Sequence, residues 1–336
     1  QALPGVEKII TFRDIPGENE IGGIIADEPL LASGKVHYNG QPVALVVAES
    51  AHIARKAVRH IRLTTEPLEV ITDPRIAKEK GELLFPPRTF RMGDISRAWD
   101  NCDYIFEGSA ETGGQEHLYI ETQGAYAYPS DNGCIKVHSS TQGPTVVQRT
   151  IARVLDIPMN RIEVDVARLG GGFGGKEDQA TSFAVMAALA ARIMHRPVKL
   201  SLHRLDDIRM TGKRHPYSSD FRIGLNRDLK IVAFQATMYQ NGGAATDLSP
   251  AILERTLFHS TNAYFIPNTE VTVYSCRTNL PPNTAFRGFG GPQAFFAVEM
   301  HMENIARSLK LDPMAFKRSH FLHRGDSSST GGLFHS

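Results

Sequence analysis

Hydrophobic positions along this chain follow two periods, and the places where one gives way to the other mark its elements. Residues 36–39 and 42–48 are runs rich in β-branched residues on either side of Asn39-Gly40, a pair suited to a tight hairpin turn. Ser50 then stands at a helix N-cap position. Ile53, Ala54, Ala57, Val58 and Ile61 share one face of a helix over residues 51–62. Residues 61–65 and 68–71 read as short strands. Residues 1–73 therefore predict a small α+β unit. Residues 74–105 lose the periodicity: the charged run 78–82 and the breakers Pro86-Pro87 and Gly93-Asp94 read as a linker.

A larger mixed domain is expected over residues 106–336. Alternation at 104–112, 124–129 and 134–139 predicts antiparallel strands. Pro144 suits the first turn of a helix in which Val147, Ile151, Val154 and Leu155 share a face. A strand at 162–167, a glycine-rich loop, an apolar helix at 179–194 and a strand at 198–202 follow. Residues 221–225 and 230–239 flank Asn226-Arg227-Asp228 as a hairpin. Residues 269–275 form a further strand and 295–309 a second helix with an apolar face.

Charge and cysteine usage narrow the function classes. With 37 basic and 36 acidic residues the formal charge is +1, which removes the electrostatic case for a nucleic-acid or membrane-surface protein. The longest apolar stretch, around residues 183–193, falls short of the roughly 18 residues a spanning helix needs. Cys102, Cys134 and Cys276 stand apart without CxxC or CxxH spacing. They read as free thiols of a cytoplasmic protein, and this chain alone builds no iron–sulfur or zinc site.

The chemistry concentrates in two loops. Gly170-Gly171-Gly172-Phe173-Gly174-Gly175-Lys176-Glu177 lies between a predicted strand and helix. Glycines there permit close backbone approach, and the helix start offers free N–H groups, so the loop can cradle an oxygen-rich or anionic group. A plain tight turn, with Glu177 favoured by the helix dipole, is the competing reading. Gly170, Gly175 and Lys176 also fit a phosphate-binding G-x-x-x-x-G-K string, but Glu177 stands where a Ser or Thr would hold Mg²⁺. The second loop, residues 279–293, carries Ala285-Phe286-Arg287-Gly288-Phe289-Gly290-Gly291. Arg287 could bind an anion and Phe289 could stack on a planar ligand. The alternative is a strand-to-helix turn with Phe289 in the core.

These loops, with other strings, resemble the molybdenum hydroxylase family, and within it the members that oxidise purines. The matching strings are Gln115-Glu116-His117 with Glu121, Ser140-Thr141-Gln142, Gly170 to Glu177, and Thr211-Gly212-Lys213-Arg214-His215-Pro216. They continue with Asn241-Gly242-Gly243, Glu254 to His259, and Asn279 to Gln293. Ala2-Leu3-Pro4-Gly5-Val6 and Gly40-Gln41-Pro42-Val43-Ala44 resemble the family's hammerhead domain. The resemblance runs over nearly the whole chain. It implies an α+β fold: a partial hammerhead-like domain followed by a mixed α/β molybdenum-cofactor domain, the first of the family's two.

The implied cofactor is a molybdenum-pyranopterin (molybdopterin) whose dithiolene holds the metal, with no direct protein ligand. The implied reaction hydroxylates a ring carbon of hypoxanthine or xanthine with oxygen from water, ending at urate. By the resemblance, Gln142 hydrogen-bonds an oxygen ligand of the molybdenum, and Gly172, Phe173, Gly174 and Arg287 lie beside metal and pterin. Glu177 and Arg255 bind the purine, and Phe289 packs on its ring. Aldehyde-oxidising members typically carry apolar residues at the Glu177 and Arg255 positions, so a purine is the expected substrate. The resemblance implies that the family's base, a glutamate, is to be expected in a second molybdenum domain outside this sequence. The 2Fe-2S clusters, FAD and NAD are expected on other regions or subunits of a homo- or hetero-oligomer. The chain by itself is expected to be inactive.

Overall fold

The computed structural model describes residues 3–327 and residue 332. Ala2 of the N-terminal string, and the stretch that would carry the second domain to residue 336, lie outside them. Strand β1 (Val6–Ile10) pairs antiparallel with β2 (Leu45–Ala48), and α1 (Ala51–Val58) follows. Ser50 caps α1, its hydroxyl accepting the Ile53 amide at 3.3 Å.

The hairpin expected around Asn39-Gly40 does not form. The turn itself is real: Gly40 has φ +102° and the Gln41 amide donates to Tyr38 O. Gln41 Oε1, however, accepts the His37 amide at 2.7 Å, and His37 O accepts Asn279 Nδ2 at 2.8 Å. Residues 36–39 are thus tied to a distant loop, while β2 is already paired with β1. The strands expected at 61–65 and 68–71 are irregular instead. Leu63, Leu68 and Val70 are 58–70% exposed, so no burial rewards pairing there.

The expected linker is folded structure. It holds α2 (Pro74–Glu79), β3 (Leu83–Met92) and α3 (Ile95–Ala98). Next come β4 (Tyr104–Thr112), β5 (Gly124–Ser130), β6 (Cys134–Ser139), α4 (Pro144–Leu155), β7 (Ile162–Asp165), α5 (Gln179–Met194), β8 (Val198–Ser201) and α6 (Arg204–Met210). The last are β9 (Tyr217–Leu225), β10 (Ile231–Gly243), α7 (Ser249–Phe258), β11 (Thr269–Arg277), α8 (Gly291–Ser308) and α9 (Pro313–Arg318). β3 forms one edge of a five-stranded sheet ordered β3-β11-β10-β9-β4. An edge strand tolerates the missing N–H groups of Pro86 and Pro87, which is why breakers there did not break the strand.

A four-stranded sheet, ordered β7-β6-β5-β8, packs against α4 and α5. Val147, Ile151, Val154 and Leu155 are fully buried there, on the face that the helical spacing predicted. A second core joins the five-stranded sheet to α7, α8 and α9 around Phe234, Val271, Val273 and Met302. The β7–α5 loop springs from the first core and the β11–α8 loop from the second. Buried polar residues accompany both loops: Gln123, Lys176, Asp207 and His215 are 0% exposed. Among the described residues no helix is long and apolar enough to cross a membrane.

Candidate active site

The two glycine-rich loops interlock. The Arg287 amide donates to Phe173 O at 3.0 Å, and the Arg287 guanidinium lies 4.9 Å from the centre of the Phe173 ring. A Cβ on Gly174 would stand 2.7 Å from Ala285 O, so only glycine permits this contact; its φ is +102°. Phe173 and Phe289 themselves take positive φ, +55° and +52°, an uncommon conformation for large side chains. Phe173 is 43% exposed.

Gln142 anchors the first loop from below. Its Oε1 accepts the amides of Gly174 at 3.0 Å and Lys176 at 3.3 Å, and its own amide donates to Lys176 O at 2.8 Å. A Cβ on Gly172 would collide with that same Oε1. Because both partners are N–H donors, the oxygen end of the side chain must face the loop. The outward end is therefore the NH₂ group, a donor with no partner among the described residues. The Arg287 guanidinium is exposed as well, so both loops keep a hydrogen-bond donor open to an incoming group. An anionic, oxygen-rich cofactor fits that donor set.

Glu177 and Arg255 are carried by different segments, the β7–α5 loop and α7. Glu177 ends the first loop, and its carboxyl is held above the usual range by burial and then by the charge of Asp178. Arg255 is exposed on α7. The next residue, Thr256, donates its hydroxyl to Gly290 O at 3.2 Å, which seats the second loop on α7 one residue after Phe289. No ion pair joins Glu177 to Arg255 among the described residues. An open groove of about 520 Å³ runs beside α7, lined by Ile24, Ile25, Phe85, Pro87 and Pro250.

Lys176 departs from the phosphate-binding pattern. Its side chain is fully buried, and its ammonium donates to Glu121 O at 2.8 Å and Ser140 Oγ at 2.7 Å and pairs with Glu121 Oε2 at 3.3 Å. It also lies 4.4 Å from the centre of the Tyr119 ring. None of its three N–H groups remains for a phosphate. Glu121 Oε2 also accepts the Ser140 hydroxyl and the Gly170 amide; these bonds and Lys176 outweigh burial and lower its pKa. Asp207 completes the support, accepting Tyr119 Oη at 2.7 Å and the Gln123 amide at 2.7 Å, while Gln123 Nε2 donates to Gly175 O at 2.9 Å. Nothing in the local pattern singles out Gln123 or Asp207, because the bonds that tie Gln123 to the first loop, Asp207 to Tyr119 and the two to each other span 52 to 88 residues.

Comparison with known proteins assigns a class to this arrangement. Residues 76–321 match the molybdopterin cofactor-binding domain, and residues 1–69 match the a/b hammerhead domain of aldehyde oxidase and xanthine dehydrogenase. The chain belongs to the molybdenum hydroxylase family: a hammerhead domain followed by a mixed α/β cofactor-binding domain. It is 40% identical over 331 residues to xanthine dehydrogenase of Drosophila subobscura, covering 97% of this chain and 25% of that protein. Against xanthine dehydrogenase of Calliphora vicina the identity is 38% over 328 residues, 97% of this chain and 24% of the relative. The chain therefore spans about a quarter of the length of these curated relatives. Among solved structures, the aldehyde oxidoreductase of Desulfovibrio gigas superposes with a TM-score of 0.87 at 27% identity, over 98% of this chain and 38% of that one.

Proposed function

We propose that this chain is the cofactor- and substrate-binding portion of a xanthine dehydrogenase, which hydroxylates hypoxanthine and xanthine to urate with oxygen from water. The observation that carries the reading is the pair Glu177 and Arg255. One leaves the first loop, the other stands on the helix that seats the second, and neither is neutralised by the other. A purine edge carries both donors and acceptors, so a carboxyl and a guanidinium together can hold it. Burial, and then the charge of Asp178, raise the pKa of Glu177, and in that partly desolvated setting a hydrogen bond from its carboxyl to the purine edge counts for more. Arg255 stabilises negative charge developing on a ring oxygen, and Phe289 sets the plane of the ring.

The molybdenum-pyranopterin, when bound, supplies the redox centre for the hydroxylation. Toward it, the Gln142 NH₂ would donate a hydrogen bond, Gly172, Phe173 and Gly174 would allow close backbone approach, and Arg287 would add a cation. The base glutamate, the 2Fe-2S clusters, FAD and NAD belong to polypeptide outside these residues, in a cytoplasmic oligomer.

The test uses the intact enzyme from its native source, assayed for molybdenum and for hypoxanthine and xanthine oxidation with NAD. Stoichiometric molybdenum with urate formation is expected. Glu177→Gln and Arg255→Met are each expected to lower kcat/KM for xanthine by about 100-fold, on the order of 3 kcal/mol of transition-state binding, with Tm unchanged. Molybdenum with aldehyde turnover but no purine turnover would reassign the substrate. An active preparation without molybdenum would overturn the reading.

A further inference from the structure

Three consecutive carbonyls of the second loop are gripped from outside it. Ala285 O lies 2.7 Å from His117 Nε2, Phe286 O lies 3.0 Å from Arg214 Nη1, and Arg287 O lies 2.8 Å from Arg214 Nη2. Neither gripping residue belongs to a glycine loop. His117 precedes β5 and Arg214 precedes β9. Their two segments are joined by Gln115 Oε1, which accepts Arg214 Nε at 2.9 Å, and by a bridge between Gln115 and Arg214.

A carbonyl only accepts, so His117 Nε2 carries the proton and Nδ1 is bare. Nδ1 is buried without a hydrogen-bond partner among the described residues, and burial lowers the pKa of the ring. The fold thus tolerates an orphaned acceptor in order to hold one loop carbonyl. The same ring spaces the first loop: a Cβ on Gly175 would come within 2.7 Å of it. Arg214 stacks 4.3 Å from the centre of the Phe286 ring while its planar fork reaches two carbonyls at once, a geometry that a lysine cannot reproduce.

The peptide group is planar and trans, so fixing a carbonyl on one side fixes the following N–H on the other. Clamping the carbonyls of residues 285–287 turns the amides of Phe286, Arg287 and Gly288 away from the clamp. One of them is visibly used, since the Arg287 amide donates to Phe173 O. That disposition puts N–H dipoles on the side of the loop away from the clamp, and the exposed Arg287 side chain adds a cation to the loop, a combination that suits an oxygen-rich anion.

We propose that His117 and Arg214 are positioning residues that hold the carbonyls of the second loop to the rear, so that its amides and Arg287 face the pterin cofactor and fix its seat. This rests on the functional reading above and adds to it two residues that touch neither substrate nor reacting atoms.

The experiment compares His117→Gln, His117→Leu, Arg214→Lys and Arg214→Met in the full-length enzyme. Molybdenum per protein, the Mo(V) EPR spectrum of the reduced enzyme, and kcat and KM for hypoxanthine are read in parallel. His117→Leu and Arg214→Met are expected to lose about half or more of the molybdenum and to shift the EPR g-values. Per molybdenum, kcat should fall about tenfold with KM changed less than about twofold. His117→Gln keeps an amide donor near the Nε2 position and should restore molybdenum and spectrum. Arg214→Lys keeps the charge but not the fork, and should shift the spectrum. If the leucine or methionine variant fails to fold, the glutamine and lysine variants decide: an unshifted Arg214→Lys spectrum or a damaged His117→Gln overturns the proposal. Wild-type enzyme without molybdenum overturns the functional reading, whereas loaded wild type beside unshifted variants overturns this inference alone.

Discussion

Lys176 sits in a string that phosphate-binding loops share, yet its ammonium is spent on Glu121, Ser140 and the Tyr119 ring. The string was legible in the sequence; the direction of the side chain was not, because its partners lie 36 and 55 residues away. Lys176→Met keeps the length and removes the donors. It is expected to destabilise the intact protein by about 2 kcal/mol, from lost charge-assisted hydrogen bonds in a buried setting, as read from a urea unfolding midpoint. Unchanged stability would mean that the pair is neutral and the lysine is free for another role. Glu177, Arg255, Gln142 and Arg287 were likewise visible as residue types in recognisable strings. What the sequence could not show is that Gln142 turns its oxygen inward to two loop amides and leaves its NH₂ group outward.

At the scale of elements, legibility followed locality. β4, β6 and α5 have the bounds that their periodicity predicts, because alternation or helical spacing is a property of neighbours in sequence. β3 was hidden by two prolines that only an edge position tolerates. The Asn39-Gly40 hairpin failed for the opposite reason: a good local turn lost to the pairing of β2 with β1 across 35 residues. The interlocking of the two loops is also non-local, and Gly174 is its tightest point. Gly174→Ala would place a methyl against Ala285 O at a backbone conformation that alanine avoids. The expected cost is about 1–3 kcal/mol, together with loss of molybdenum from the purified full-length enzyme. Full metal content in that variant would show that the loops can separate without harm.

Across the whole molecule, the first unit and the start of α5 enclose a small cavity of about 30 Å³ lined by Glu28, Asp178 and Asp247. Burial raises the pKa of all three, and Asp247 is pushed up to about 7 by burial and then by Asp178. A carboxyl whose folded pKa exceeds its unfolded value of 3.8 holds its proton more tightly in the native state. Its contribution is full below that value and is lost as pH rises toward 7. Buried His215 and His301, lowered to about 3, act in the opposite sense, since their contribution is lost as pH falls below the ordinary histidine range. The informative comparison is therefore variant against parent. Asp247→Asn should gain on the wild type in Tm as pH rises from about 5 to 8. A pH-independent difference would show that Asp247 stays ionised.

The sequence by itself determined the family, most strands and helices of the larger domain, and the residue types of the site. Each of these is written either in short-range periodicity or in contiguous strings. Only the tertiary structure decided which loop meets which, that Lys176 faces inward, that residues 74–105 complete a sheet, and that His117 and Arg214 clamp three carbonyls. The physical reason is common to all four. Hydrogen bonds and close contacts between segments far apart in sequence choose among local options of similar energy, and no window of the chain contains both partners.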